Sequence, residues 1–411
     1  MNLLWITNII LPPLAKAKDM PIPAVGGWMY SSLKRLKIHS DINIAVATVY
    51  PGNKFEATEI DGIQYYLLPL RGKSMIRYNQ HLEQYWLRVR DDFRPEVIHI
   101  HGTEYPHGLA YVRACGPQGV VISLQGIISC YARYYAAGID YKSVKKCLTF
   151  RDVVKNDNIF KGQKNFENRG ILEIELLQSV NHIIGRTDWD KSHAWAINPK
   201  AAYHYCGETL RDSFYTNKWS YENCEPHSIF VSQASYPVKG VHILFEALPL
   251  ILRQYPYAKI YVAGLDLTAK SWYKISGYGN FLKKQIARLG IADHIIFTGM
   301  LDEKAMCERY LKSNVFICCS AIENSPNSLG EAQLLDMPYV ASFVGGIPEI
   351  VNWNQNVLYR FEEYEILAEK ICTIFDIAGN FRIPSYDTNR YNRELNTRLL
   401  LGIYKEAECH K

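Results

Sequence analysis

Short β-branched apolar runs alternate with longer amphipathic stretches along this sequence, and the alternation comes in two series. Val97–His101 and Val315–Cys318 are short enough to read as interior strands. Trp28–Lys37 and Gly240–Leu252 carry apolar residues at helical spacing. Strands that alternate with helices imply a parallel sheet covered by those helices. In the first series, strands are expected at Leu3–Thr7, Ile42–Thr48, Tyr65–Pro69, Val97–His101, Val120–Leu124, His182–Gly185 and Ala202–Cys206. In the second they are expected at Ile229–Gln233, Lys259–Ala263, Ile295–Thr298, Val315–Cys318, Tyr339–Phe343 and Asn356–Leu358. The polar stretch Asn217–Ser228 reads as the linker. A chain of 411 residues exceeds what one hydrophobic core serves. The expected class is therefore α/β, with two Rossmann-like domains at 1–215 and 216–385 facing across a cleft. A C-terminal helix within 386–411 is expected to pack back toward the first domain.

Charge and cysteine content narrow the functional classes. A formal charge of +5 is too small for a dedicated nucleic-acid binder, which concentrates far more Lys and Arg on one face. Yet Tyr131 to Lys164 alone holds eight basic side chains against three acidic ones, interleaved with Tyr131, Tyr134, Tyr135 and Tyr141. Such a surface suits anionic lipid headgroups or a lipid-linked diphosphate. The ten cysteines are scattered, with no Cys-x-x-Cys pair, and read as reduced and mostly buried in a cytoplasmic protein. The apolar N-terminus lacks a basic leader and a small-residue cleavage site, and no run of about 20 apolar residues offers a membrane span.

In open α/β sheets, ligands bind beyond the carboxyl ends of the strands, so the loops there hold the candidate residues. In "SAIENSPNSLGE" two glutamates, Glu323 and Glu331, lie eight positions apart around a loop that runs into a helix. Asn327 or Ser328 is expected to cap that helix, presenting amides to a phosphate. Glu331, a turn inside, can accept hydrogen bonds from the vicinal hydroxyls of a ribose, and Glu323 can reach a group beyond the phosphates. The spacing matches a nucleoside, a diphosphate and a sugar in a row. In "ASYPVKG", Lys239 opens a helix, where a cation is disfavoured by the helix dipole and invites an anionic partner. Gly26-Gly27 follows the first strand and permits a positive φ or a close backbone approach to a ligand. His99 and His101 alternate along one strand, so at least one is expected to be packed. Asp188-Trp189-Asp190 reads as a helix start.

These marks together resemble the family-four retaining glycosyltransferases of the GT-B fold. "IENSPNSLGEA" followed by "MPYVASFVGGIPEIV" looks like their Glu-x7-Glu signature with its downstream Gly-Gly segment. The early Gly-Gly loop, "VIHIHG", "IIGRTDWD", "ASYPVKG" and "FTGML" agree along the chain. The resemblance implies that Glu331 binds the ribose, Glu323 contacts the donor sugar and Lys239 neutralises the leaving diphosphate. It further implies contacts from Gly26, Gly27 and the Asn327, Ser328 and Leu329 amides. Many relatives carry an arginine where this chain has Gln233, and a histidine where it has Gln125. Arg186 and Arg211 are candidates to replace the missing cation. Gln125 can hydrogen-bond a sugar but cannot act as a general base at neutral pH. In retaining transfer the departing phosphate oxygen can take the acceptor's proton, so turnover needs no such base.

The expected activity is transfer of a sugar from a nucleotide-diphosphate donor, a UDP-sugar foremost, to a glycan or lipid-linked glycan in bacterial surface polysaccharide synthesis, such as capsule or O-antigen. No cofactor and no metal is expected, since the Asp-x-Asp pair of the sequence, Asp188-Trp189-Asp190, reads as a helix start rather than a metal site. Expected partners are the donor, the acceptor and, through residues 131–164, the inner face of the plasma membrane, with no nucleic acid. A GT-B sugar-nucleotide epimerase and a catalytically silent nucleotide-sugar binder are the alternatives.

Overall fold

The computed structural model describes residues 1–21, 26–39, 41–377, 380 and 386–408, which form two compact units. Unit 1 comprises Met1–Tyr131, Asn165–Leu210 and Thr388–Lys411, and unit 2 comprises Ala132–Lys164 and Arg211–Asp387.

Unit 1 is built on eight strands: β1 Asn2–Thr7, β2 Asn43–Tyr50, β3 Glu56–Ile60, β4 Ile63–Pro69, β5 Val97–His101, β6 Val120–Ser123, β7 His182–Gly185 and β8 Ala202–Tyr205. Their order is β3-β4-β2-β1-β5-β6-β7-β8, parallel except for the β3–β4 hairpin. The hairpin strand was not expected. Its residues Glu56–Ile60 alternate half-buried and exposed along an edge, so they carry no run of apolar residues. The interior strands β1, β5 and β6 are buried along almost their whole length, which is why their sequences read as continuous apolar runs. The helix Arg393–Glu408 belongs to this unit, and its buried Tyr404 hydroxyl accepts from Trp5 Nε1 at 3.1 Å and meets His99 Nδ1 at 2.6 Å.

Unit 2 holds six parallel strands: β9 Ser228–Val231, β10 Lys259–Val262, β11 Ile295–Phe297, β12 Val315–Cys318, β13 Tyr339–Ser342 and β14 Leu358–Tyr359. Their order is β11-β10-β9-β12-β13-β14, with the switch of direction between β9 and β12. Apolar residues fill both faces. Val241, Leu244 and Leu248 of the helix Val241–Leu252 pack on one side, and Leu329 and Ala332 of the helix Asn327–Leu334 pack on the other.

Three organisational expectations change. Residues 132–164, with most of the basic segment, group with unit 2 and not with the N-terminal domain. They are anchored there by Thr149 Oγ1 donating to Ile275 O at 2.8 Å and by the Gly277 amide donating to Asp152 at 3.0 Å. The polar stretch Asn217–Ser228 is no free linker. Trp219 donates through its backbone to Leu335 O and through its indole to Ser313 O, at 2.8 and 2.7 Å, so it is packed into unit 2. Its polarity reflects hydrogen bonding to the sheet's periphery rather than freedom. The expected boundary near 215 falls instead between Leu210 and Arg211.

Candidate functional site

In unit 2, loops after β9, β12 and β13 are tied to one another. The Ala321 amide donates to Val238 O at 2.8 Å, the Ser342 hydroxyl to Ser320 O at 2.6 Å and the Gly346 amide to Glu323 O at 3.0 Å. Gly240 sits at φ +70°, and a Cβ there would collide with the Cys319 carbonyl oxygen. The glycine after Lys239 therefore lets the β9 loop lie directly on the β12 loop.

This interlocking sets the charged groups. Lys239 Nζ lies 2.6 Å from Glu323 Oε1, which also accepts from Ser320 Oγ at 2.7 Å. Burial acts to lower the Lys239 pKa, but the Glu323 charge overrides it and holds the ammonium above its ordinary value. Eight residues on, Glu331 takes a two-point contact from Arg211, with Nε and Nη2 at 2.6 and 2.7 Å from its two oxygens. Burial pushes the Glu331 carboxyl upward and Arg211 opposes the rise. Both glutamates are buried, Glu323 at 8% exposure and Glu331 at 4%.

Neither Asn327 nor Ser328 caps the helix between them. Pro326 occupies the cap with no side-chain hydrogen bond, because a proline there fixes the entering chain without offering an acceptor side chain. The Leu329 amide, expected to face a ligand, donates to Pro326 O at 3.0 Å, and its side chain is in the core. The half-buried Asn327 and Ser328 head the helix, ahead of its internal bonds. Gln233 is half-buried on the loop after β9.

Gly26, Gly27 and Gln125 belong to unit 1. Gly26 has φ +80° and caps the helix Gly27–Leu36, and a Cβ on it would strike Ile9. Gln125 follows β6, and a Cβ on Gly102 would lie 3.2 Å from its Cγ. The same Cβ would strike the carboxylate of Glu104, whose pKa burial raises to about 7, helped by the Glu173 charge and opposed by its own backbone amide. Glu104 is thus a titratable group beside Gln125 that the sequence reading passed over; no spacing marks it.

His99 and His101 are both buried in unit 1, with burial and then the Arg186 charge holding His99 down to about 3. His99 is bonded to Tyr404 and, through Nε2, to Ser123 Oγ at 2.6 Å, so it is a packed core residue. Arg186 of unit 1 pairs with Glu208. Arg211 does enter the unit 2 cluster, but as the partner of Glu331 and not as a free cation. Thr187 caps the helix Asp188–Ile197 through a reciprocal bond pair with Asp190, as a helix start requires. The nine cysteines among the described residues are free thiols, seven of them buried.

The sequence reading offered Arg211 as a cation for the diphosphate and not as the partner of Glu331, and it missed Ser320. Ser320 sits three residues before Glu323, a spacing visible in the sequence. Arg211 lies 120 residues from Glu331, and nothing local announces it.

Residues 217–379 match the family described as Glycosyl transferases group 1. Over 148 residues the chain is 30% identical to spore coat protein SA of Bacillus subtilis strain 168, covering 35% of this chain and 37% of that protein. Over 134 residues it is 27% identical to an uncharacterized glycosyltransferase of Methanocaldococcus jannaschii, covering 32% and 31%. The matched segment thus spans about a third of the length of each relative. Among solved structures, the sucrose-phosphate synthase of Thermosynechococcus elongatus is similar with TM-score 0.62 at 12% identity, covering 100% of this chain and 96% of that one. HepE of Anabaena in complex with UDP-glucose is similar with TM-score 0.59 at 15% identity, covering 99% and 98%. The fold is that of the GT-B glycosyltransferases, with two Rossmann-like α/β domains.

Proposed function

We propose that this chain, whose residues 217–379 match the group 1 glycosyl transferases, moves a sugar from a nucleotide diphosphate to a glycan or lipid-linked glycan acceptor. The observation that carries the reading is the unit 2 cluster. An ion-paired Lys239–Glu323 and an arginine-locked Glu331 flank a helix entrance with no side-chain cap. A carboxylate has about four acceptor positions, and Arg211 takes one on each oxygen, so Glu331 keeps acceptors for two ribose hydroxyls. The amides that head the helix and the Lys239 ammonium then meet the diphosphate. Glu323, released from Lys239, accepts from a sugar hydroxyl.

Transfer proceeds with retention in this reading. The acceptor oxygen bonds to the anomeric carbon on the face from which the diphosphate leaves, and its proton passes to the departing phosphate oxygen. The protein's part is to stabilise the charge that grows on the leaving group, without a metal. Gln125 fits this scheme because no side-chain base is required. The solved complex of HepE with UDP-glucose supports a UDP-sugar as the donor, and the acceptor is assigned to bacterial surface polysaccharide synthesis on the sequence resemblance.

A thermal-shift panel of UDP-, GDP-, TDP- and ADP-sugars, run on the wild type and on Glu331→Ala, tests the donor site. One UDP-sugar is expected to raise the midpoint in the wild type and not in the variant. Equal stabilisation in both would sink the assignment. Binding without transfer or hydrolysis would favour the silent binder, and inversion at a sugar carbon would favour the epimerase.

The enzyme works at an anionic membrane surface in this proposal. No helix among the described residues is long and apolar enough to cross a membrane. The helices Tyr141–Lys146 and Phe150–Lys155 instead expose Tyr141, Phe150, Val153 and Val154 among lysines, and Trp272 stands beside Phe150 with ring centroids 5.7 Å apart. Val153 and Trp272 are 75% and 73% exposed, and it is the clustering of such side chains in one patch that marks an interaction surface. Vesicles containing phosphatidylglycerol are expected to bind the protein, more weakly as salt rises, since each basic residue near such a surface adds about 1 kcal/mol. Val153→Glu with Val154→Glu should lower binding at least about tenfold. Equal partition onto neutral phosphatidylcholine vesicles would refute the electrostatic part.

A further inference from the structure

His182 opens β7 and His204 lies on the neighbouring β8 of unit 1. The register pairs His182 with Ala202 and Ile184 with His204, so the two histidines are diagonal neighbours on one face of the sheet. Their rings stack at 18° with centroids 5.3 Å apart, and His182 Nδ1 meets His204 Nε2 at 3.0 Å. Glu406, in the last turn of the helix Arg393–Glu408, brings an oxygen to 4.0 Å from His204 Nδ1. One ligand atom from each of the three residues lies within 4.8 Å of the others. We propose that His182, His204 and Glu406 form a binding site for a divalent transition ion of the zinc class.

Two imidazoles and a carboxylate are a donor set that suits Zn²⁺, whose bonds to nitrogen and oxygen are about 2.0–2.2 Å long. Tetrahedral bonds of that length place ligand atoms about 3.4 Å apart. The histidine pair is already near this separation, and Glu406, half-exposed at the end of a helix, has the freedom to swing in. The hydrogen between the two rings moves to the outer nitrogen of whichever ring carries it, so both imidazoles stay neutral and no proton is lost. A fourth coordination position stays open to water, as where protein supplies only three ligands. The bound ion would join the end of the C-terminal helix to two strands some 200 residues earlier in the chain, beside the contact that Tyr404 makes with Trp5 and His99.

The test uses the full, untagged chain, stripped with chelator and titrated with Zn²⁺ by calorimetry and with Co²⁺ by visible absorption. One equivalent is expected to bind with a dissociation constant on the order of 10 µM or tighter, with cobalt bands of four- or five-coordination. His204→Gln and Glu406→Gln should each weaken binding at least about tenfold, and saturating zinc should raise the thermal midpoint of the wild type alone. Glu406 is half-exposed, so its variant keeps the fold and a loss of binding there reports on coordination. No saturable binding up to about 100 µM would overturn the proposal. So would unchanged affinity in both variants, which would place the ion on other donors.

Discussion

Lys239→Met is expected to slow sugar transfer by about 10²- to 10³-fold, the cost of removing one preorganised charge-stabilising donor from a transition state. The loss should fall chiefly on kcat. In the ground state Lys239 already has a partner in Glu323, so part of what it offers the diphosphate replaces an existing ion pair. As the glycosidic bond breaks, negative charge on the phosphate oxygen grows, and the ammonium gains most then. Donor affinity, read by calorimetry, should change far less than turnover. Glu323→Gln combined with Lys239→Met separates the roles, because the double variant removes the buried carboxylate that the single one leaves without its cation. A single variant that keeps full turnover would eliminate Lys239 as the leaving-group cation. So would one whose entire defect lies in KM.

Arg211→Met should cause a large loss of stability. The guanidinium holds a 4%-exposed carboxylate by two hydrogen bonds, and removing one partner of such a buried pair costs about 3–5 kcal/mol. For a unit of this size that is a fall in thermal midpoint of roughly 10 °C. The sign of the pH dependence follows from Glu331. Its pKa in the folded protein is already raised by burial, against Arg211, and losing Arg211 raises it further. A carboxyl raised in the folded state favours folding below its unfolded value, and that contribution disappears as pH climbs through the folded value. The deficit relative to wild type should therefore be full near pH 8 and shrink toward the ordinary carboxylate range, about pH 4–5. Thermal midpoints of both proteins across that range would show it. Glu331→Gln in the same chain should restore much of the stability at pH 8 without restoring donor binding. A deficit that does not change with pH would mean that the pair is not an ionised one buried in unit 2.

The two residues differ in how far the sequence announced them. Lys239 stands where a strand ends and a helix begins, and the glycine after it has a local conformational reason. Glu323 and Glu331 carry their spacing within one loop and one helix. Features of that kind depend on residues a few positions apart, and backbone stereochemistry with hydrophobic periodicity encodes them directly. The same holds for Val97–His101, His182–Gly185 and Val315–Cys318, whose strand limits agree residue for residue with the apolar runs. The edge strand Glu56–Ile60 escaped because one half of its pattern faces solvent and pairing with β4 alone makes it a strand.

Arg211, by contrast, could not be assigned from its neighbours. Gln233 left the expected cation missing, and two arginines stood as candidates. Only the packed chain sends Arg211 to Glu331 and Arg186 to Glu208. The grouping of 132–164 with unit 2 was equally invisible, since a polar, basic segment carries no label for the core it joins. By itself the sequence determined the α/β class, the succession of strands apart from the edge strand Glu56–Ile60, and the loop that holds the paired glutamates, because each rests on local geometry and periodicity. The tertiary structure decided which charge meets which, what caps the helix at Pro326, and that His182, His204 and Glu406 converge, because those depend on distances between residues far apart in the chain.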